Sequence, residues 1–210
     1  MQEKMYITSR TNPLVQRYAK LSEKKYRESE KCFLIEGAKL FSEAVDAGIG
    51  IEAVLLCEGK SNVIVEATVE RMQAMAAYAD TQYVLLGESA FSKITTEKSP
   101  EGVICVAKHL DNLKIYNKIE SNDAEKYKGE KIMLLYSLRD PGNVGTVARS
   151  VAAFGFDRLI VSGDTADPYG SRAMRASMGS FFKMKMDFVT EFDSVVAELH
   201  KAGRRVFCAE

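Results

Sequence analysis

A strand of buried type that leads directly into a capped helix is the feature that most constrains this chain. Residues 131–137 are largely apolar, and residues 140–156 read DPGNVGTVARSVAAFGF. The first run predicts a strand, and the proline and glycines that follow predict a turn that opens a helix. In open α/β sheets, ligands bind at the carboxyl ends of strands, where such turns lie. The pattern therefore predicts an α/β sheet with a functional edge at this turn.

The same alternation of strands and helices extends over most of the chain and predicts an α/β fold. Strands are predicted at residues 51–57, 82–86, 102–107, 131–137, 158–162 and 204–208. Helices are predicted at residues 11–29, 36–47, 61–78, 88–94, 144–154, 172–182 and 191–201. Residues 111–130 are polar and of mixed charge, as in many linkers. We therefore predict a small α/β sandwich at 1–108, a linker at 109–130, and a parallel-sheet domain at 131–210.

Composition excludes several classes of protein. No apolar run reaches the ~18 residues of a membrane span, and the N-terminus lacks the apolar core of a signal peptide. The four cysteines are scattered without C-x-x-C spacing, and the chain has only two histidines. This pattern predicts buried, reduced thiols in the cytoplasm and no metal site.

The charge is unevenly distributed although the formal net charge is zero. Residues 1–31 carry eight lysines and arginines against four acidic residues. A basic N-terminal arm suits a polyanionic partner. A solvated charged helix is the alternative that charge alone leaves open.

Two residues of the 140–156 segment are candidates for chemistry. Asn143 is of the type that caps a helix by accepting from backbone N–H groups. The apolar residues 144, 147, 151 and 154 share one helical face, and Arg149 lies about 200° from residue 147 around the axis. Arg149 is therefore predicted to point away from the sheet. An ordinary capped helix with one solvated arginine is the alternative.

A second candidate segment, residues 167–183, reads DPYGSRAMRASMGSFFK. Arg172, Arg175 and Lys183 stand among hydroxyls and glycines there, a combination that can contact a phosphate backbone. Met174, Met178 and Phe181 follow the helical spacing of core residues, and a surface-basic helix is the alternative reading. The chain contains no complete G-x-G-x-x-G, P-loop or H-E-x-x-H motif, which disfavours a generic nucleotide-binding domain.

Together these segments resemble the SpoU (TrmH-like) branch of the SPOUT RNA methyltransferases. DPGNVGTVARSVAAFG is similar to the first motif of that family, and DPYGSRAMRASMGSFFKMKM is similar to the stretch that follows it. FLIEGAKLFSEAV at 33–45 and FSKITTEKSPEGVICV at 91–106 resemble its substrate-binding domain, an L30e/L7Ae-like α/β sandwich. The resemblance covers nearly the whole chain, with the pieces in the same order.

The resemblance implies a homodimeric enzyme that transfers a methyl group from S-adenosylmethionine to a ribose 2′-hydroxyl of ribosomal or transfer RNA. It implies a catalytic domain with a trefoil knot, a rare exception to the rule that chains do not thread loops. It assigns Arg149 as the catalytic arginine and Asn143 as its motif companion, and Arg175 and Ser177 as RNA contacts. Arg172 and Lys183, cations of the same segment, complete the predicted RNA-binding set. An arginine is a poor base because its pKa exceeds about 12. An electrostatic role for Arg149 is therefore favoured, with proton abstraction left open.

The chain departs from the family pattern at its C-terminal end. The later motifs of the family, which bind the cofactor and complete the knot, are absent from residues 1–210 and are expected to lie beyond Glu210. A truncated piece is the favoured explanation and a short paralogue is the alternative. The knot and the cofactor site are accordingly expected to be incomplete, and no cofactor-binding residue is assigned.

Two consequences for function follow from this departure. The 210 residues alone are expected not to transfer methyl groups, because the cofactor-binding motifs are missing from them. A non-catalytic RNA-binding protein or inactive fragment is the alternative function.

Overall fold

The computed structural model describes residues 5–119 and 127–208, which form two α/β units in succession. The first unit contains a mixed five-stranded sheet, and the second contains a four-stranded sheet in which all strand pairs are parallel. The predicted α/β class, with a parallel sheet in the second half, is confirmed. Within the described residues, no helix is both long and apolar enough to cross a membrane.

The first sheet has the strand order β1-β4-β3-β5-β2. Its strands are β1 (Met5–Ile7), β2 (Cys32–Glu36), β3 (Ile51–Cys57), β4 (Gln82–Leu86) and β5 (Val103–Lys108). Its helices are α1 (Pro13–Lys20), α2 (Lys24–Glu30), α3 (Ala38–Asp46), α4 (Val63–Ala74) and α5 (Glu88–Ile94). Because successive strand residues face opposite sides, one face packs on α3 and α4 while the other packs on α1 and α5.

The second sheet has the order β6-β9-β8-β7, with β6 and β7 at its edges. Its strands are β6 (Leu113–Tyr116), β7 (Ile132–Leu135), β8 (Arg158–Ser162) and β9 (Lys185–Val189). Its helices are α6 (Pro141–Ala153), α7 (Ser171–Ser177), α8 (Ser180–Lys183) and α9 (Asp193–Lys201). Helices α6 to α8 pack on one face, and α9 packs on the other.

The apolar core continues from the first unit into the second. Phe33 and Ile35 of β2 belong to the same buried cluster as Ala148 of α6 and Met174 of α7. Tyr169 adds a polar link, because its hydroxyl accepts a hydrogen bond of 2.9 Å from the backbone N–H of Leu110. The two units therefore pack against each other through a largely apolar interface.

Two predicted helices are each divided in the structure. The helix predicted at 11–29 is interrupted between α1 and α2, where the buried guanidinium of Arg27 donates to the carbonyls of Leu21 and Ser22 at 2.7 Å each. The helix predicted at 172–182 is interrupted at Met178 and Gly179, whose φ angles are +50° and +85°. A left-handed residue ends an α-helix, so α7 and α8 are separate.

Several other predictions about secondary structure were wrong. Strands β1, β2, β6 and β9 were not predicted, and residues 204–208 are not a strand. Strand β6 falls inside the predicted linker and pairs with β9, while residues 120–126 of that linker lie outside the described residues. Two residues expected in the core, Phe154 and Met178, are 78% and 44% exposed.

Candidate functional site

Helix α6 begins at a turn in which Asp140, rather than the predicted Asn143, is the N-cap. The Oδ1 atom of Asp140 accepts a hydrogen bond of 2.8 Å from the backbone N–H of Asn143, which is the third residue of the helix. Pro141 occupies the first helical position, where its missing N–H costs nothing. The prediction of Asn143 as a cap was therefore wrong, since a capping aspartate precedes it by three residues. The side chain of Asn143 is left exposed.

Gly145 brings α6 into close contact with α7. A Cβ atom at this position would lie 2.7 Å from both the Cβ of Ala176 and the backbone N of Ser177, and would overlap the carbonyl oxygen of Ala173. Real Cβ atoms do not approach other atoms so closely, so only glycine permits this packing. The contact places α6 at Gly145 directly against residues 173–177 of α7.

Arg149 lies one turn after Gly145, on the exposed side of α6. Among the described residues, no acidic side chain forms an ion pair with its guanidinium. At 100° per residue, Arg149 lies about 40° around the axis from Gly145, so it projects near the rim of the α6–α7 contact. Asn143 lies about 240° from Arg149, on another face of the helix. The two predicted catalytic residues thus share a helix but do not face each other.

The three predicted phosphate-binding cations each have an acidic neighbour. Arg172 lies 3.1 Å from Asp140, and Lys183 lies 3.0 Å from Glu43. Arg175 forms an ion pair with Glu97 of the first unit. Their side chains remain 38 to 65% exposed, and such exposed pairs contribute little to stability. These cations therefore remain free to exchange their acidic partners for an external anion.

Ser177, the remaining predicted RNA contact, is completely buried. Its hydroxyl donates to the carbonyl oxygen of Met174 at 2.7 Å, near the end of α7. In this conformation it has no surface for RNA, and its observed role is to satisfy a helix-terminal carbonyl. Sequence spacing did not reveal this, because the burial follows from the packing of α6 on α7.

The carboxyl ends of β7 and β8 hold a polar cluster that sequence reasoning missed. Asp164 accepts hydrogen bonds of 2.6 Å from the hydroxyls of Ser137 and Ser162. These bonds, that from Ser137 first, lower the pKa of Asp164 to about 2. Ser137 has a positive φ of +52°, unusual for a residue other than glycine. The signal available in the sequence was that each serine is the last residue of a predicted strand.

The strand order indicates where a ligand of this sheet would bind. Strand β7 lies at one edge of the sheet, and β8 and β9 follow it in a single direction towards β6. Ligands of open α/β sheets bind outside the carboxyl ends of the strands. Tyr136, directly after β7, is 70% exposed there. Among the described residues, no group of three potential metal ligands is present.

The C-terminal end of the chain bears on the predicted absence of a complete cofactor site. The last strand predicted before Glu210, at residues 204–208, is not formed, and Glu210 itself lies outside the described residues. The incompleteness of the cofactor site and of the knot, and the inactivity of these 210 residues alone, therefore stay predictions.

Comparisons with known proteins agree with this architecture. Residues 12–105 match the MRM3-like substrate binding domain, and residues 130–210 match the SpoU rRNA Methylase family. The chain is 28% identical over 201 residues to the Bacillus subtilis protein "23S rRNA (guanosine(2553)-2'-O)-methyltransferase RlmP", covering 96% of this chain and 71% of that protein. It is 30% identical over 184 residues to a Streptomyces viridochromogenes "23S rRNA (uridine(2479)-2'-O)-methyltransferase", covering 85% of this chain and 58% of that one.

Solved structures show the same arrangement of chain. An AdoMet-bound rRNA methyltransferase from Sinorhizobium meliloti superposes with a TM-score of 0.72 at 28% identity, covering 94% of this chain and 69% of that one. A solved structure described as "RNA 2'-O ribose methyltransferase" superposes with a TM-score of 0.71, also at 28% identity, covering 95% of this chain and 70% of that one.

Proposed function

Because the chain belongs to the SpoU rRNA methylase family, we propose that it takes part in methylation of a ribose 2′-hydroxyl in RNA, with S-adenosylmethionine as the methyl donor. The observation that carries this proposal is the match of residues 130–210 to the SpoU family, within which Arg149 stands exposed and without an ion-pair partner among the described residues. The named relatives that act on 23S rRNA make ribosomal RNA the first substrate to test. Transfer RNA is the second.

Arg149 stabilises negative charge in this proposal. Methyl transfer requires a 2′-oxygen that becomes more negative as its proton leaves and that is aligned with the methyl group. A guanidinium without an acidic partner can donate to that oxygen, or to the neighbouring phosphate, without first breaking an ion pair. Asn143, on another face of α6, positions the turn or contacts RNA rather than sharing the reacting oxygen with Arg149.

The exposed cations that bind RNA in this proposal are Arg172, Arg175 and Lys183, together with those of the basic N-terminal arm. Each of these three can release its acidic neighbour when a phosphate arrives, since the pairs are exposed. Ser177 is excluded from this set by its burial.

Cys32, Cys57 and Cys105 are buried free thiols, which fits a reducing compartment, and we place the protein in the cytoplasm.

The described residues at the carboxyl end of β7 fit part of a site for the cofactor. Tyr136 offers an aromatic ring that is 70% exposed, and Asp164 offers a carboxylate that is 48% exposed and lies 3.4 Å from the guanidinium of Arg139. Both fit a ligand that carries an aromatic base and positive charge. S-adenosylmethionine, when bound, supplies a methyl group on a positively charged sulfur. Tyr136 would contact the base of the cofactor, and Asp164 would attract its charged end.

A homodimer is part of the same proposal. The four residues of β7 are each only half-buried although all are apolar, and Phe154 is 78% exposed. Exposed apolar surface of this kind is often covered by a partner. A second copy of the chain is the partner that the family resemblance implies.

The proposal is tested by incubating the purified chain with tritiated S-adenosylmethionine and ribosomal RNA that lacks the modification. A 2′-O-methyl group blocks alkaline cleavage of the next phosphodiester bond, so methyl transfer places tritium in alkali-resistant dinucleotides. Arg149→Ala is expected to lower the rate by about 100-fold or more, because removing one electrostatic stabiliser of a reacting oxygen has effects of that size. Lys201→Ala neutralises a cation of α9, on the opposite face of the sheet, and is expected to leave the rate unchanged.

A version of the chain extended past Glu210 along its natural reading frame is the matched sample. Incorporation by the extended version only would show that the catalytic unit needs residues outside these 210. The two substitutions are then compared in the extended version.

The alternative function, an RNA-binding protein without catalysis, makes a different prediction. It expects RNA binding by both versions without alkali-resistant tritium. It also expects no calorimetric heat when S-adenosylmethionine is added to either of them.

A further inference from the structure

We propose that a cavity between helix α2 and the second sheet receives one unstacked nucleobase of the bound RNA, while lysines of α2 and its C-terminal end contact the phosphates beside it. This inference rests on the proposed function for the identity of the ligand. It concerns a site apart from α6 and its Arg149, formed by α2, the segment after β5, and the loop after β8. We call it the α2 cavity.

The α2 cavity has a volume of about 330 Å³, which lies at the small end of the range for ligand pockets. Its apolar lining consists of Leu110, Leu113, Ile115 and Phe188, with the ring of Tyr169. Ile115 is 76% exposed, whereas Leu110 and Phe188 are almost fully buried. The cavity therefore has a buried apolar floor and an open mouth, and suits one flat ring rather than a folded peptide.

His109 lines this cavity and carries a polar ring atom that has no partner among the described residues. Its ring stacks on Tyr169 with centroids 4.2 Å apart and an interplanar angle of 9°. Its Nε2 atom is buried and has no hydrogen-bond partner among the described residues. Burial first, and then the nearby charge of Lys31, lower the pKa of His109, so the ring is neutral at pH 7. A neutral imidazole can donate to or accept from the edge of a base.

The remaining polar atoms of the lining are already paired or lie at the rim. Asp167 accepts from the guanidinium of Arg27 at 2.7 Å, so its charge is neutralised within the wall. Lys24 and Lys31 stand at the rim against one further acid of the lining, Glu28, which lies 3.7 Å from Lys24. The rim is thus net positive. Its two lysines belong to the basic N-terminal arm, which the sequence predicts to meet a polyanion.

A base of single-stranded RNA matches these features together. Sequence-specific proteins commonly bind RNA through unstacked bases placed against aromatic or apolar side chains, with cations on the adjoining phosphates. The α2 cavity offers an apolar floor beside a stacked aromatic pair, one unsatisfied polar atom, and two rim lysines. A purely apolar ligand would leave the Nε2 atom of His109 unsatisfied. A free anion would make no favourable contact with the apolar floor.

The test measures binding to the whole chain by fluorescence anisotropy, without S-adenosylmethionine. The probes are a labelled ten-nucleotide RNA of mixed sequence and the same backbone with abasic residues. We expect the RNA with bases to bind about 5-fold more tightly or better, because stacking of one base against a protein surface has at least that effect. His109→Phe keeps the ring and removes the polar atom. It is expected to weaken binding of the base-containing RNA by about 3- to 10-fold and to leave the abasic probe unaffected.

Two further comparisons distinguish an effect at the cavity from misfolding of a single variant. Ile115→Trp fills the mouth of the cavity from an exposed position and should also abolish the preference for the probe with bases. Lys24→Gln should weaken both probes more than Lys25→Gln does. Lys25 lies on the same helix with similar exposure, 69% against 63%, but does not line the cavity.

Equal affinity for the two probes, or a preference that survives both His109→Phe and Ile115→Trp, would overturn the inference. If the preference is found in the chain and lost in these variants while methyl transfer is absent from the extended version as well, the cavity assignment stands and the proposed function is overturned. If methyl transfer is present without the preference, the proposed function stands and the cavity assignment is overturned.

Discussion

The guanidinium of Arg27, at the C-terminal half of α2, lies 2.7 Å from the carboxylate of Asp167 in the loop after β8. The two residues are 140 positions apart in the chain, and their side chains are only 7% and 18% exposed. This pair joins the basic N-terminal arm to the second sheet. Asp167 of this pair also lines the α2 cavity.

Replacing Arg27 is expected to destabilise the whole chain. Arg27→Ala leaves the carboxylate of Asp167 without its partner and removes two hydrogen bonds to the carbonyls of Leu21 and Ser22. Loss of one member of a buried pair costs about 3 kcal/mol or more of the free energy of unfolding, as measured by urea denaturation. Arg71→Ala, which breaks the exposed pair with Asp46, should cost less than about 1 kcal/mol. Equal losses of unfolding free energy in the two variants would contradict the difference expected between a buried and an exposed ion pair.

Enlarging Gly145 is expected to separate α6 from α7. Gly145→Ala gains about 1 kcal/mol of helix propensity but creates overlaps with α7, which cost about 1 to 3 kcal/mol or more. Thermal unfolding should therefore show a net loss of stability. Gly50→Ala is the control, because the nearest atoms there belong to the flexible side chain of Lys108 at 3.4 Å. A melting temperature raised by Gly145→Ala would refute the close packing.

Asp164 is expected to make stability depend on pH in the acid range. Its pKa is lowered from 3.8 to about 2 by hydrogen bonds from Ser137 and Ser162. Because the folded state favours the charged form, this contribution is present above pH 3.8 and is lost as the pH falls towards 2. The difference in unfolding free energy between the unmodified chain and Asp164→Asn should shrink over that interval. A difference that stays constant as the pH falls from about 5 to about 2.5 would argue against the hydrogen-bonded carboxylate.

Releasing Arg175 from Glu97 is expected to strengthen binding to RNA. Glu97→Gln removes the acidic partner and leaves the guanidinium available to a phosphate, with a gain of about 2- to 5-fold in affinity at low salt. The dependence of affinity on salt concentration should also steepen. Glu70→Gln on α4 removes the same charge from a distant helix. Equal gains in the two variants would show that net charge alone is responsible.

The cysteines are expected to fall into one fast and three slow thiols. Cys32, Cys57 and Cys105 are buried, and burial raises the pKa of the Cys32 thiol to about 11. Cys208 is exposed. A thiol reagent added to the folded chain should modify Cys208 within minutes and the other three only after unfolding. Rapid modification of two or more sites would contradict the burial.

Local patterns in the sequence were sufficient for several elements and for part of the site. The predicted bounds of β3, β4, α5 and β8 agree with the structure, since each is a short apolar run or a helix bounded by clear turn residues. The exposure of Arg149 also followed from helical geometry alone. These features depend on neighbours within one or two turns along the chain, which is information that a sequence carries directly.

Contacts between distant residues decided the rest. Strands β2 and β9 were missed because their stability comes from pairing with β5 and β8, and the pair of Arg27 with Asp167 spans 140 residues. Ser177 was predicted to meet RNA and is buried by the packing of α7 on Gly145. The sequence by itself determined the fold class, the family and the exposed arginine of α6. Only the tertiary structure decided which polar groups are buried, because burial and pairing depend on surfaces that folding brings together.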